Sequence, residues 1–160
     1  MGRIQDHQYR KVDIVEVHTS DAKLLTDLTI RSKSYWDYPK EQIEEWMPEL
    51  RITVDYIKSN VLYKLVEHGR IIGYYALEDL EMNGVLLDNL FIEPDRIGQG
   101  CGNLLIQHAF KTAKDLGYAK MIVESDPHAT HFYIRKGFKE IDKKESSIAG
   151  RFLPIMGKVL

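Results

Sequence analysis

Cysteine is almost absent: one residue, Cys101, in a chain of 160. A lone thiol excludes an internal disulfide and leaves no cysteine cluster for a zinc site, so a reducing, cytoplasmic setting is expected. Long apolar runs are missing too; none approaches the roughly 20 residues of a membrane-spanning helix. The net charge is only −2, without the basic excess of a nucleic-acid binder. The opening stretch, MGRIQDHQYR, has no apolar signal region and reads as a mobile polar lead-in. No repeat, low-complexity stretch or linker divides the chain. What is present is an ordinary globular composition, 44% apolar and 29% charged, long enough to bury a core without disulfides or metals. One domain over residues 1–160 is expected, with no metal, nucleic-acid or membrane partner.

Hydrophobic periodicity orders the elements. Val12–Val17 alternates as a strand. Thr19-Ser20-Asp21 offers helix caps, and the helix runs to about Ser34 with Leu24, Leu25 and Leu28 inward. Pro39 and Pro48 bracket a short helix over Lys40–Trp46, and a further helical stretch lies near Leu50–Lys58. Val61–Glu67 and Arg70–Leu77 form a hairpin through His68-Gly69. Asn83-Gly84 turns into a third strand, where Leu86, Asp88, Leu90 and Ile92 share a face. A helix follows from about Gly102 to Leu116, its stripe made of Leu105, Ile106, Ala109, Phe110, Ala113 and Leu116, with Gly117 as terminal cap. A strand over AKMIVES, a helix opened by Asp126-Pro127 and closed at Gly137, and strands over Phe138–Ile141 and Arg151–Val159 complete a mixed α/β order.

Two segments carry chemistry. In "FIEPDRIGQGCGNLLIQHAF", Gly98, Gly100 and Gly102 stand between a strand and a helix. Glycines let main-chain N–H groups converge, and a helix start adds its first-turn N–H groups and positive dipole end. Gly98, Gln99, Gly100, Cys101, Gly102 and Asn103 can therefore cradle a phosphate or pyrophosphate. The plainer alternative is a tight strand-to-helix connection with no ligand. A Walker loop is excluded, because no Gly-Lys-Ser/Thr follows, and the spacing is not that of a dinucleotide fingerprint. In "DPHATHFYIRKGF", Ala129, Phe132, Tyr133 and Lys136 recur at helical spacing and put Tyr133 on one face. By itself that tyrosine reads first as a core aromatic with a wet tip.

Together the two segments resemble the GCN5-related N-acetyltransferases, the GNAT family. That family's pattern is an apolar strand end, then Arg/Gln-x-x-Gly-x-Gly/Ala opening a helix, a strand, and Asn-x-x-Ala-x-x-x-Tyr-x-x-x-Gly-Phe. "LFIEPDRIGQGCG" matches the first part and "DPHATHFYIRKGF" the second, so the resemblance covers Leu86 to about Phe138. Two positions depart from it. Ile97 stands in the Arg/Gln slot, with Arg96 one place earlier, and Asp126 replaces Asn, so this slot loses a side-chain donor when ionised. The resemblance implies a GNAT-type mixed α/β fold: a central, mostly antiparallel sheet of about six to seven strands flanked by about four helices.

It also implies an acetyl-CoA-dependent N-acetyltransferase acting by direct attack of an amine in a ternary complex. Leu90, Phe91 and Ile92 would pair with the pantetheine arm, and Ile97, Gly98, Gln99, Gly100, Cys101, Gly102 and Asn103 would hold the pyrophosphate. Asp126, Phe132, Tyr133 and Arg135 would complete the cofactor contacts, with Lys136 an alternative to Arg135 at the 3′-phosphate. Tyr133 takes the general-acid position and Glu124 is the preferred base, with Asp88, Glu78, His128 and His131 as alternatives. Cys101 packs under the loop rather than acting as a nucleophile. Trp36, Tyr38, Tyr75, Glu78 and Asp88 are candidate acceptor contacts, Trp36 and Tyr38 lying in an acidic, aromatic segment over residues 34–50 that suits a cationic amine. That same segment also reads as a solvated helix with tryptophans in the core. Homodimer pairing is a further expectation, and a non-catalytic CoA-binding module is the alternative function.

Overall fold

The computed structural model describes residues 11–160; the lead-in expected over residues 1–10 lies outside them. Seven strands form a sheet of order β1-β2-β3-β4-β5-β7-β6, and five α-helices accompany it among the described residues. This is the mixed, mostly antiparallel architecture expected. Contacts divide the chain into two units: residues up to Ala76 with Asn89–His108, and Leu77–Asp88 with Ala109–Leu160.

The first unit holds β1 (Val12–Glu16), α1 (Ala22–Ser34), α2 (Lys40–Leu50), α3 (Val54–Ser59) and β2 (Val61–Glu67). It also takes most of β3 (Arg70–Asp79), the end of β4 (Gly84–Ile92) and the start of α4 (Cys101–Asp115). β1 pairs antiparallel with β2, Val12 opposite Glu67. His68 and Gly69 turn β2 into β3 with φ of 48° and 77°, the double positive φ that a type I′ hairpin turn requires. Leu25, Leu28, Ile52, Ile57, Leu62, Tyr74 and Ala76 form one core cluster. Its polar atoms are matched: Thr29 Oγ1 donates to the Leu25 carbonyl at 2.6 Å and shares a 2.6 Å hydrogen bond with the Tyr74 hydroxyl. Thr26 Oγ1 accepts from Ile52 N at 2.8 Å, fastening α1 to the segment before α3.

The second unit holds the end of β3, the start of β4, the rest of α4, β5 (Lys120–Glu124), α5 (Thr130–Arg135), β6 (Lys139–Glu145) and β7 (Phe152–Val159). β4 and β5 pair in parallel, Gly84–Leu86 opposite Lys120–Ile122; β5 and β6 each pair antiparallel with β7. Phe138 sits between Phe110 and Tyr133, ring centroids 5.9 and 5.4 Å away. β6 is exposed along its whole length and has a register shift between Glu140 and Asp142. Charge and a bulge are two usual ways of keeping an edge strand from further pairing.

Four details differ from the sequence expectation. Leu24 and Leu116 are 57% and 54% exposed, so the apolar stripes of α1 and α4 are narrower than their composition suggests. α2 does not stop at Trp46: it runs through Pro48 to Leu50, because Ile43, Trp46 and Leu50 are all buried and that burial outweighs the proline's lost N–H. The β3–β4 turn is centred on Met82 and Asn83, with φ of 62° and 60°, and Gly84 is already the first residue of β4. Pro127–Ala129 forms a 3-10 turn before α5, so the helix proper begins at Thr130.

Gly73 explains how closely β3, β4 and α4 approach. A Cβ there would lie 2.9 Å from Leu105 Cδ1, 3.0 Å from Ile92 Cδ1 and 3.1 Å from the Phe91 carbonyl oxygen. The two methyls can shift; the carbonyl belongs to the main chain and cannot. Gly73→Ala is expected to cost about 1–3 kcal/mol of stability through overpacking, measured by urea denaturation, with a lower midpoint and an unchanged slope.

Candidate active site

The glycine loop is built by a strand that must end and a helix that must start. β4 runs to Ile92, past Leu86 where its ladder with β5 ends. Pro94–Arg96 makes a 3-10 turn, and Ile97 returns to extended backbone (φ −64°, ψ 138°). Gly98 and Gly100 take φ of 81° and 85°, which only glycine adopts without strain. Nothing lies within 4 Å of where a Cβ would stand on either, so the space above the loop is open. The Gly100 carbonyl accepts from Leu104 N at 3.1 Å and starts the α4 ladder. The first-turn N–H groups of a helix point out of its N-terminus; in α4 that turn holds Cys101, Gly102 and Asn103. Positive φ, open space and a helix dipole thus coincide on one short segment, suited to a pyrophosphate.

Cys101 is buried, 1% exposed, as expected of a residue packed beneath the loop. Gln99 is turned back, its Nε2 donating to the Asp95 carbonyl at 2.9 Å. Leu90, Phe91 and Ile92 are half-buried, with Phe91 tilted against Tyr74 at 6.1 Å. Arg96, adjacent to the Ile97 slot, is bound to Glu67 at 2.7 Å.

In the second unit Asp126 caps the 3-10 turn. Its Oδ1 accepts from His128 N at 2.9 Å and lies 2.8 Å from His128 Nδ1, with Arg151 3.8 Å away. As an acceptor the carboxylate caps this turn, which an aspartate does as well as the family's asparagine. Tyr133 is 6% exposed, its ring edge-on to Phe132 and Phe138 at 5.2 and 5.4 Å. Burial first, and the nearby Asp126 charge second, push its phenol well above the ordinary value, so it keeps its proton at neutral pH. No hydrogen-bond partner engages its hydroxyl among the described residues. Phe132 is half-buried beneath Lys136 Nζ at 5.7 Å, and Arg135 is exposed. Glu124 ends β5 in an exposed pair with Lys144 at 3.2 Å. His128, His131, Glu78 and Asp88 are all exposed.

The acceptor candidates fare unequally. Tyr75 is fully buried, its hydroxyl 2.8 Å from His108 Nδ1 and its ring stacked on Tyr63, so it has no surface to offer an acceptor. Tyr38 meets Trp46 edge-on at 4.8 Å, and Lys33 Nζ lies 5.3 and 5.0 Å from the two rings. That aromatic pair already holds an ammonium of the chain itself. Trp36 is half-buried and edge-on to Tyr35 at 5.0 Å. Glu41, Glu44, Glu45 and Glu49 are exposed on α2, while Trp46 is core, the arrangement of a solvated helix with a tryptophan packed inward.

A family model described as an acetyltransferase (GNAT) domain matches residues 34–156. The chain belongs to the GNAT acetyltransferases. As a member it is an acetyl-CoA-dependent N-acetyltransferase. It is 27% identical to the peptidyl-lysine N-acetyltransferase YjaB of Salmonella typhimurium over 80% of this chain and 77% of that protein. To YjaB of Escherichia coli K12 it is 33% identical over 56% of each. Its fold is shared with the PaiA N-acetyltransferase of Thermoplasma acidophilum, solved with coenzyme A: TM-score 0.79 at 20% identity, covering 94% of this chain and 99% of that one. No helix of the described residues is long and apolar enough to cross a membrane.

What motif matching missed in this GNAT is Glu93, a buried carboxylate between β4 and the loop. Its only sequence signal is an acidic residue beside a buried strand end, with partners far away along the chain.

Gly100 gives the direct test of the loop. A valine there forces a β-branched residue into positive φ, costing about 1–2 kcal/mol, and puts methyl groups where the anion would approach. Gly100→Val is expected to remain folded and to lose acetyl-CoA binding in calorimetry.

Proposed function

We propose that this GNAT acetylates a lysine-type primary amine on a peptide or protein, using acetyl-CoA held by the β4–α4 joint. The observation that carries the cofactor placement is the open, positive-φ glycine loop directly ahead of the α4 N-terminus. Pyrophosphate oxygens accept from the N–H groups of Gly98–Asn103. The pantetheine amides pair with the main chain of Leu90–Ile92, a stretch of β4 beyond the Gly84–Leu86 ladder with β5. Ile97 serves through its main chain alone. Phe132 and Arg135 contact the outer parts of the cofactor, and Asp126 supports α5 rather than donating to it.

The reaction forms one C–N bond and breaks one C–S bond. The amine nitrogen attacks the thioester carbonyl, whose oxygen gains negative charge in the tetrahedral intermediate; a β4 main-chain N–H near Leu90 or Phe91 stabilises it. Collapse expels the CoA thiolate, Tyr133 delivers its proton to that sulfur, and the proton that the new amide nitrogen sheds returns to the tyrosine through water. Burial supports this role, since it holds the phenol in the acid form. The incoming ammonium loses its proton through water to Glu124, an exposed carboxylate at the end of β5.

The lysine-type acceptor is supported by the YjaB likeness and by the acidic exposed face of α2. Trp36 and Glu78 are its contacts of choice, with Asp88 alongside. A reducing cytoplasm fits the single buried thiol.

Lysine-containing peptides, N-terminally free peptides and small amines, incubated with acetyl-CoA while released thiol is followed, test the class: the lysine peptides should turn over fastest. Acetyl-CoA binding with no transfer to any of them would instead mark a non-catalytic CoA module. Within an active enzyme, Tyr133→Phe should lower kcat by about 10- to 100-fold with acetyl-CoA affinity nearly intact, because the hydroxyl acts chiefly in the transition state. A wild-type rate where chemistry limits would reduce Tyr133 to a packing residue.

A further inference from the structure

The residue that follows β4 is a buried carboxylate. Glu93 has 5% of its side chain exposed, and its N–H donates to the Ile72 carbonyl at 2.9 Å. Arg31 of α1 grips both carboxylate oxygens, Nε donating to Oε1 at 2.9 Å and Nη2 to Oε2 at 2.7 Å. Arg70, at the start of β3, lies 3.6 Å from the same Oε2 and also holds Asp95 at 3.1 and 3.3 Å. Asp95 is 3.5 Å from Arg96, and Arg96 donates to Glu67 of β2 at 2.7 Å. Charges therefore alternate along Arg31–Glu93–Arg70–Asp95–Arg96–Glu67, three of each sign.

Stability alone is a poor reason for such an arrangement. A buried ion pair often contributes no more than apolar residues of similar volume, and exposed members contribute little. Location is informative. Glu93, Asp95 and Arg96 form the turn between β4 and the glycine loop, and the other three residues come from α1, β2 and β3. In the loop beyond, no neighbour approaches the Cβ positions of Gly98 or Gly100. Gln99 ties the loop back to this same turn, its Nε2 donating to the Asp95 carbonyl.

We infer that the alternating ion network positions the pyrophosphate loop, with Glu93 and Arg31 as positioning residues for the cofactor's phosphates. The inference rests on the loop holding acetyl-CoA as proposed above. None of the six is among the groups assigned above to the reacting atoms. Their effect is to fix where the loop's N–H groups stand, and a misplacement of about 1 Å in such donors is costly. The same pairing keeps Arg96 on Glu67 rather than on a phosphate, which is consistent with a loop that works through its main chain.

The test compares acetyl-CoA with S-acetyl-pantetheine, which has the thioester and arm but lacks the pyrophosphate and adenosine. The readout is the ratio of kcat/KM for the two donors. In Arg31→Gln and Glu93→Gln this ratio is expected to fall about five- to tenfold, through KM for acetyl-CoA more than kcat. Arg31→Lys, which keeps the charge but not the two-pronged grip, should fall between them and wild type. Arg31 is 52% exposed, so its variants test the network even where loss of the buried Glu93 charge impairs folding, which circular dichroism would reveal. A wild-type ratio in folded variants, or equal losses with both donors, overturns the inference and leaves the loop assignment standing. A wild-type enzyme with no preference for acetyl-CoA overturns both.

Discussion

Positive φ at Gly98 and Gly100 is the constraint around which the candidate site is organised. A residue with a side chain would pay a steric penalty at either angle and would cover the N–H groups that the turn presents. Choosing glycine solves that problem and creates another, because glycine brings no side chain to pack and leaves the backbone free to wander. The loop therefore depends on its flanks. On one side Cys101, Leu105 and Ile106 are buried and hold the first turns of α4. On the other, the turn from Glu93 to Arg96 is tied by charge to three other elements. Gly73 adds a third requirement, since only the absence of a Cβ there lets β3 lie under Ile92 and Leu105.

As the proposed general acid, Tyr133 answers a different physical demand. A general acid must hold its proton until the transition state, and a phenol near ordinary solvent already does so at neutral pH. Burial between Phe132 and Phe138 makes it a weaker acid still. The compensation lies in the partner, a thiolate, whose modest basicity makes the protonation helpful rather than indispensable. This is why a loss towards the lower end of general-acid effects is the consistent expectation. Asp126 contributes to the same balance: its charge disfavours a phenolate nearby while its oxygen caps the turn before α5.

Local signals made much of the fold legible. β2 occupies the Val61–Glu67 run read from its composition, and Gly117 has the φ of 91° of a helix cap. Each of these depends on residues within a few positions of one another. The misses are of another kind. Period alone cannot say where an apolar stripe ends, so Leu24 and Leu116 were counted inward although both face solvent. Pro48 argued for a helix stop that the burial of Leu50 overrode. Tyr75, assigned to an acceptor pocket from its strand position, is closed off by His108 and Tyr63, neither adjacent in sequence. Glu93 and Arg31 are 62 positions apart, and nothing local announces their pairing.

Ile97 brings these strands together. Where an arginine or glutamine is common in the family, this chain has an apolar side chain, and the neighbouring Arg96 is occupied by Glu67 and Asp95. Three arginines stand close to the loop along the chain or through the network, yet each is matched by a carboxylate. On the proposed placement of the cofactor, fixed main-chain dipoles rather than these three arginines would hold the pyrophosphate. Fixed dipoles act at short range and are less screened by salt than exposed charges. They are also unforgiving of displacement, because an N–H that points a little aside loses its hydrogen bond altogether. A loop of this kind gains less from additional positive charge than from a rigid mounting, and the paired arginines supply the mounting.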